Sequence, residues 1–352
     1  MSPFVFKIAG TIIPPIAAVL CRPAGYGRVG RIESRNKIST IETVEFANTL
    51  LGKDLSVAEM VRKIGETDRF RALWLGEGLG LHFGMRALAR GGQPRNFLIE
   101  GEGTVIPPYL MLMVHAGIAL AFARHNLDAI GKNPQQQQIF DATRKTADLI
   151  VANGISGYSG ISYEAWGMVT QFFYRKLFLR VIQSMEAIDP EHVPHMWHGA
   201  GRACYFQNFM PRWKDPWPAF PYIQKLGPAP VPRANLLAGL ASATVIVNMK
   251  TPEVLEAVIR ERISRLPAQD AAAYAQGIAC SVIMREDTTP GDERSRALLA
   301  HKPPSDIADL WQRTIVSPAR MALENLYPML SAQRRLDEVT CYRPLESLKP
   351  AI

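Results

Sequence analysis

The hydrophobic and polar positions along this 352-residue chain follow a helical period in most places where a period can be read. Ser56-Val57-Ala58-Glu59 has the form of a capping box and opens an amphipathic run through Lys63. Thr251-Pro252-Glu253 sets an N-cap residue, a first-turn proline and an acid ahead of Val254, Leu255, Ala257, Val258 and Ile259. Ser305 with Asp309 predicts a helix through Trp311, and Met321 to Leu326 continues helical before Pro328. Two stretches are apolar all round: Tyr109 to Ala123, broken only by His115, and Ala234 to Met249, which carries only Asn, Ser and Thr. Both fall short of the ~20 residues of a spanning helix and read as central buried helices. Alternating runs bounded by turns are hard to find, so the expected fold class is mainly α.

Between these runs, loops are expected at Gly91 to Pro94, at Gly131 to Gln138 and along the proline-rich segment 211–232. The last is long enough without a period of its own to be a candidate functional cover. Ile8 to Cys21 is apolar and uncharged, but Pro14-Pro15 should break it and no clean cleavage site follows. A hydrophobic arm attached at the surface is the plain reading; a signal peptide or a membrane anchor is the other.

One feature organises the whole pattern. Trp74-Leu75-Gly76-Glu77-Gly78 matches Trp197-His198-Gly199-Ala200-Gly201 at an offset of 123, from Gly76 to Gly199. Ala116-Gly117-Ile118-Ala119 matches Ala238-Gly239-Leu240-Ala241 at 122, and Gly154-Ile155-Ser156 matches Gly277-Ile278-Ala279 at 123. Three landmarks in one order at nearly one spacing predict a tandem duplication of a helical unit. The expected organisation is an N-terminal arm (1–44), repeat one (45–172), repeat two (173–289) and a C-terminal helical tail (290–352), fused into one body. A pseudo-two-fold would relate the repeats, with an apolar pocket between them. Gly76, Gly80 and Gly84 share one helix face, where a neighbouring helix or a ligand comes close.

These blocks resemble an uncharacterised bacterial family, domain-of-unknown-function family 1702. The likeness is carried by Trp74 to Leu81, Val114-His115-Ala116-Gly117, Asn153 to Gly160, Trp197 to Cys204 and Leu237 to Ala241. Members of that family occur in bacterial natural-product clusters, including those for enediyne polyketides, so the resemblance implies a biosynthetic role without naming a reaction or a cofactor. In the family's third block, written D-G-Y-G-F-H-E-G, a histidine and a glutamate stand where this chain has Tyr158 and Ser159.

Composition changes the picture little. The +8 formal charge tolerates anionic partners, but the basic residues are scattered and form no nucleic-acid motif, so no nucleic-acid partner is expected. The four cysteines form no C-x-x-C pair, which fits reduced thiols in a cytoplasmic protein. Gly25 to Gly30 matches G-x-G-x-x-G, but prolines occupy the place of the preceding strand. Ser156 and Ser159 fit no nucleophile elbow, and neither an acidic ionisation cluster nor a phosphate loop is present.

Candidate chemistry comes from subtracting one repeat from the other. Glu77 stands against Ala200, His82 against Tyr205, His115 against Leu237 and Tyr158 against Ser281. A charge or an imidazole on an apolar helix is costly to bury without a partner, so Glu77 and His115 are expected to pair as base and orienter, with His82 and Tyr158 as further catalytic candidates. A buried structural hydrogen bond explains the same residues. Arg202 is expected either to bind an anionic head group or to pair with a neighbouring carboxylate, and Cys204, Trp74 and Trp197 are further candidates for holding a ligand. Glu164 aligns with Asp287 and reads as structural or capping. His192, His195 and His198 have the spacing of a weak metal site, though Pro194 interrupts them and a solvent-facing helix start is the simpler account. The expected function is binding and acid–base transformation of a polyketide-, polyene- or lipid-like compound. The alternative is a non-catalytic binding or assembly subunit in contact with a membrane surface or a protein complex.

Overall fold

A computed structural model of the chain describes residues 3–348 except Lys53 and Gly92, so part of the expected Gly91–Pro94 loop and the end of the tail lie outside it. The fold is mainly helical, and no β-strand occurs among the described residues. Among the described residues, the helices of 15 to 22 residues are α1 (Pro3–Cys21), α2 (Gly27–Glu45), α3 (Arg69–Ala89), α4 (Pro108–Ala129), α5 (Gln136–Asn153), α6 (Ser159–Phe173), α7 (Val193–Gln207), α8 (Pro230–Asn248) and α9 (Ala268–Thr288). The Ser56 capping box forms as expected, with both reciprocal bonds present. Thr251 starts its helix without a side-chain cap; its hydroxyl accepts from Asn36 instead.

Prolines end fewer helices than expected. Helix α1 runs through Pro14 and Pro15. The tail helix runs past Pro318 and Pro328 to Ala332, and a wider π turn precedes each proline. Such turns relieve the ring clash and the missing N–H that would break a regular α-helix. The proline-rich cover is not wholly irregular either, since Ala219–Leu226 is helical and Pro230 lies in the first turn of α8.

The helices pack in succession: α2 on α3, α3 on α4, α4 on α6, α6 on α7, α7 on α8 and α8 on α9. Helix α8 also returns to α2, where the Asn36 amide donates to Asn248 Oδ1 at 3.0 Å. Small residues make the tightest crossings possible. A Cβ on Gly117 would lie 2.0 Å from the Glu77 carbonyl oxygen, and one on Gly239 would lie 1.8 Å from that of His198. Gly80 and Gly201 complete the same two crossings, against Val114 and Leu236. Gly76, Gly80 and Gly84 all face α4, so a neighbouring helix explains that glycine face. Helices α4 and α8, apolar all round, are walled in by their neighbours, as their composition requires.

The packing corrects the expected correspondence between the halves. Gly80 and Gly201 occupy equivalent crossings at an offset of 121. Gly78 against the Val44 carbonyl and Gly199 against the Glu164 carbonyl are separated by 121 as well. The tryptophan match at 123 is therefore two residues out of packing register. The third landmark fails, because Gly154 follows the end of α5 while Gly277 lies inside α9. A two-fold would seat α9 on α3 as α6 sits on α7; α9 lies mainly on α8 instead. Helix α2 does for α3 what α6 does for α7, a progression along the chain.

Candidate functional site

Helices α3, α6 and α7 bring three charged side chains to one buried point. Arg202 on α7 donates from Nη1 to Glu164 Oε2 on α6 at 2.7 Å, and its Nη2 lies 3.9 Å from Glu77 Oε2 on α3. All three residues are at most 2% exposed. His198, one helical turn before Arg202, has Nδ1 3.3 Å from the other Glu164 oxygen. That contact puts the imidazole proton on Nδ1 and leaves Nε2 buried without a partner.

The two carboxyls sit in opposed environments. Burial pushes Glu164 upward, but Arg202 and His198 outweigh it and hold the group below the ordinary range. For Glu77, burial dominates, Arg202 only partly offsets it, and the Glu164 charge adds to it; the pKa is pushed up to about 7. Glu164 is thus a fixed anion and Glu77 an acid poised near neutrality. Divergent acids of this kind are the usual basis for separate acid and base roles.

Glu77 borders a small apolar cavity between α2, α3, α4, α6 and α7, with a volume of about 40 Å³. Ile41, Val44, Leu120, Val169, Phe172 and Phe206 supply much of its wall, and Arg202 closes one side. Trp74 lines it too. Its indole N–H and Glu77 Oε1 are both buried without a hydrogen-bond partner. Glu45 and Arg124 pair at the border with a second pocket, which His82 lines.

Several expected site residues lie elsewhere. His115 does not meet Glu77. Its Nδ1 bonds the Met111 carbonyl at 2.7 Å, its Nε2 accepts from the Ile155 N–H at 3.1 Å, and its ring stacks on Tyr158 at 4.9 Å. With both nitrogens used and burial lowering its pKa to about 4, it is a neutral clasp for the α5–α6 connection. Tyr158 belongs to that clasp. Trp197 packs edge-on against Phe178, and Cys204 is buried away from the cavity with its thiol pushed up to about 12 by burial. Nor do the three histidines share a metal or face solvent together. His192 contacts Asp189, His195 contacts Thr340 and His198 contacts Glu164; the last two are buried. Among the described residues, no group of three or more potential ligands could hold a metal.

Glu164 is the site residue that sequence reasoning missed. The rule that selected Glu77, a charge on an apolar helix, applies equally to Tyr163-Glu164-Ala165-Trp166. Alignment with Asp287 hid it. In the comparisons with known proteins, no family model, no curated protein and no solved structure matches this chain.

Proposed function

We propose that the protein binds an apolar, chain-like compound in the cavity beside Glu77, and that Glu77 transfers a proton to or from it. The carrying observation is the pairing of two unpartnered polar atoms, Glu77 Oε1 and the Trp74 indole nitrogen, with a wall otherwise almost wholly apolar. Ligand sites commonly have this composition, where the few polar groups orient and the apolar ones hold. A carboxyl near pKa 7 supplies a proton at neutral pH and takes one back at little cost. Arg202 and Glu164 act through Glu77, one stabilising its anion and the other raising the cost of forming it. The apolar wall favours a polyketide-, polyene- or lipid-like ligand, and the resemblance described above supports a biosynthetic setting. We place the protein in a reducing, cytoplasmic compartment, a reading supported by four buried cysteines with free thiols.

The test is organic extraction of the purified protein followed by mass spectrometry, together with titration by a fluorescent polyene fatty acid. The wild type should carry or bind a lipophilic molecule saturably, and Val169→Phe, which narrows the cavity, should weaken binding. An empty wild type without saturable binding overturns the proposal. A second reading, binding without transformation, is favoured by Tyr158 and Ser159 standing where the resembled family has histidine and glutamate. It requires that the wild type and Glu77→Gln return the ligand equally unchanged.

A further inference from the structure

Helix α1 has one face on the protein and one face bare. Phe6 packs edge-on against Phe46, Ala17 is buried, and Cys21 closes on Gly30 of α2. The other face carries Val5, Ile8, Ile12, Ile16 and Val19, spaced three or four apart and 40–55% exposed. The window Val5–Ala24 has mean hydropathy 1.6, and only 17% of it is buried. Among the described residues, three helices are long and apolar enough to cross a membrane; the windows in α4 and α8 are largely buried inside the protein, whereas that in α1 is bare.

Two features beside this stripe identify its occupant. Residues 1–32 contain no Asp or Glu but four basic residues, Lys7, Arg22, Arg28 and Arg31, of which Arg28 lies 3.6 Å from Glu253. Trp213, 60% exposed, sits at the far end of α1, where the neighbouring Lys214 N–H donates to the Leu20 carbonyl at 3.2 Å. An apolar stripe with basic flanks and an exposed tryptophan is the make-up of an interfacial helix on an anionic bilayer. A second copy would set like charges against each other. A spanning α1 would have to leave α2 or draw it in, and α2 carries Arg28, Arg31, Glu33, Arg35 and Lys37.

We infer that α1 docks the protein in the plane of an anionic phospholipid surface, with its isoleucine and valine stripe in the acyl boundary and Trp213 at headgroup level. Helix α2 lies between α1 and the cavity and supplies Ile41 and Val44 to the cavity wall, so docking sets that wall one helix from lipid. The docking does not depend on the cavity's being a ligand site.

The experiment is co-sedimentation of the full chain with vesicles of phosphatidylcholine alone and with added phosphatidylglycerol. Binding is expected to the anionic vesicles and to weaken with salt. Ile12→Glu and Val19→Glu, both at exposed positions, should each lower partitioning by about tenfold or more with unchanged melting. Polyene titration of Ile12→Glu in solution should match the wild type, which separates this inference from the proposal for the cavity. Four outcomes overturn the inference. The wild type ignores both vesicles; the glutamate variants bind as well as the wild type; bound protein resists alkaline carbonate, as a spanning helix would; or the wild type is a dimer that Ile12→Glu splits and that binds no vesicle.

Discussion

The α3–α4 and α7–α8 crossings share a backbone arrangement and differ in what they hold. In one, Gly117 sits over the carbonyl of Glu77; in the other, Gly239 sits over that of His198. Glu77 and His198 are therefore packing equivalents, and both reach the Glu164–Arg202 pair, one at Arg202 and the other at Glu164. Their fates differ because of what lies beyond. Glu77 borders a cavity and keeps one oxygen unpartnered, while His198 is held against a carboxylate. One helix-crossing solution can thus carry an acid bordering a cavity at one place and a fixed hydrogen bond at the other.

The comparison is broken most violently at the glycines. Gly239→Ala puts a methyl group 1.8 Å from the His198 oxygen, and Gly117→Ala puts one 2.0 Å from the Glu77 oxygen. Both obstacles are backbone, so whole helices must separate. Each variant should lose about 3–5 kcal/mol, the range of severe core disruption. Denaturant melts of the pair check this, and equal losses support equal crossings. A near-wild-type Gly117→Ala would show that the two crossings are not alike.

Next in size is the charge shared between them. Arg202→Met leaves Glu164 buried with only His198 and removes the cation beside Glu77. Breaking a buried pair from one side costs about 3–5 kcal/mol, because the remaining charge stays desolvated. The loss should shrink at acid pH as the stranded carboxylates take up protons, a trend that chemical melts across pH would reveal. Loss of similar size at every pH would mean that Arg202 acts by packing alone.

The titrations of Glu77 and His115 then pull in opposite directions. Glu77 has a folded pKa near 7 against an ordinary 4.5, so the folded state holds the proton more tightly than the unfolded chain. Its penalty on stability is absent below about 4.5, grows between there and 7, and is constant above, reaching on the order of 3 kcal/mol. Glu77→Gln should therefore gain stability over the wild type as pH rises from 5 to 8, while losing any proton-transfer activity. His115 and His195 are lowered by burial to about 4 and about 3 from 6.5. The unfolded chain protonates first, so their effect is a loss of stability as pH falls below 6.5 towards those values. A Glu77→Gln advantage that did not depend on pH would remove the case for a poised acid.

Much of this was legible in the sequence, and the failures have physical causes. The all-round apolarity of Tyr109–Ala123 and Ala234–Met249 announced buried helices. The cost of burying a charge marks Glu77 as a residue in need of a partner but points to the wrong one, because His115 satisfies both nitrogens locally, with Met111 and Ile155. A bond four residues back along the same helix leaves no trace in spacing. The bare face of α1 was legible as apolarity but not as a face, since Pro14 and Pro15 argued against a helix that in fact forms.

The smallest effect tests the register itself. If Trp74 and Trp197 were equivalent, Gly76 would correspond to Gly199, where a Cβ would lie 1.7 Å from the Glu164 carbonyl oxygen. Under the packing register of 121, Gly76 corresponds to Trp197, the largest side chain, and small size is not required there. The geometry agrees with the second. A Cβ on Gly76 meets only side chains, Leu110 at 3.3 Å and Met113 at 3.4 Å, which can yield by a few tenths of an ångström. Helix propensity favours alanine over glycine by about 1 kcal/mol, and that gain offsets the displacement. Gly76→Ala should fall within about 1 kcal/mol of the wild type, whereas Gly199→Ala should be as damaging as Gly239→Ala. Paired thermal melts decide the matter, because matching losses at 76 and 199 would restore the tryptophans as the true equivalence.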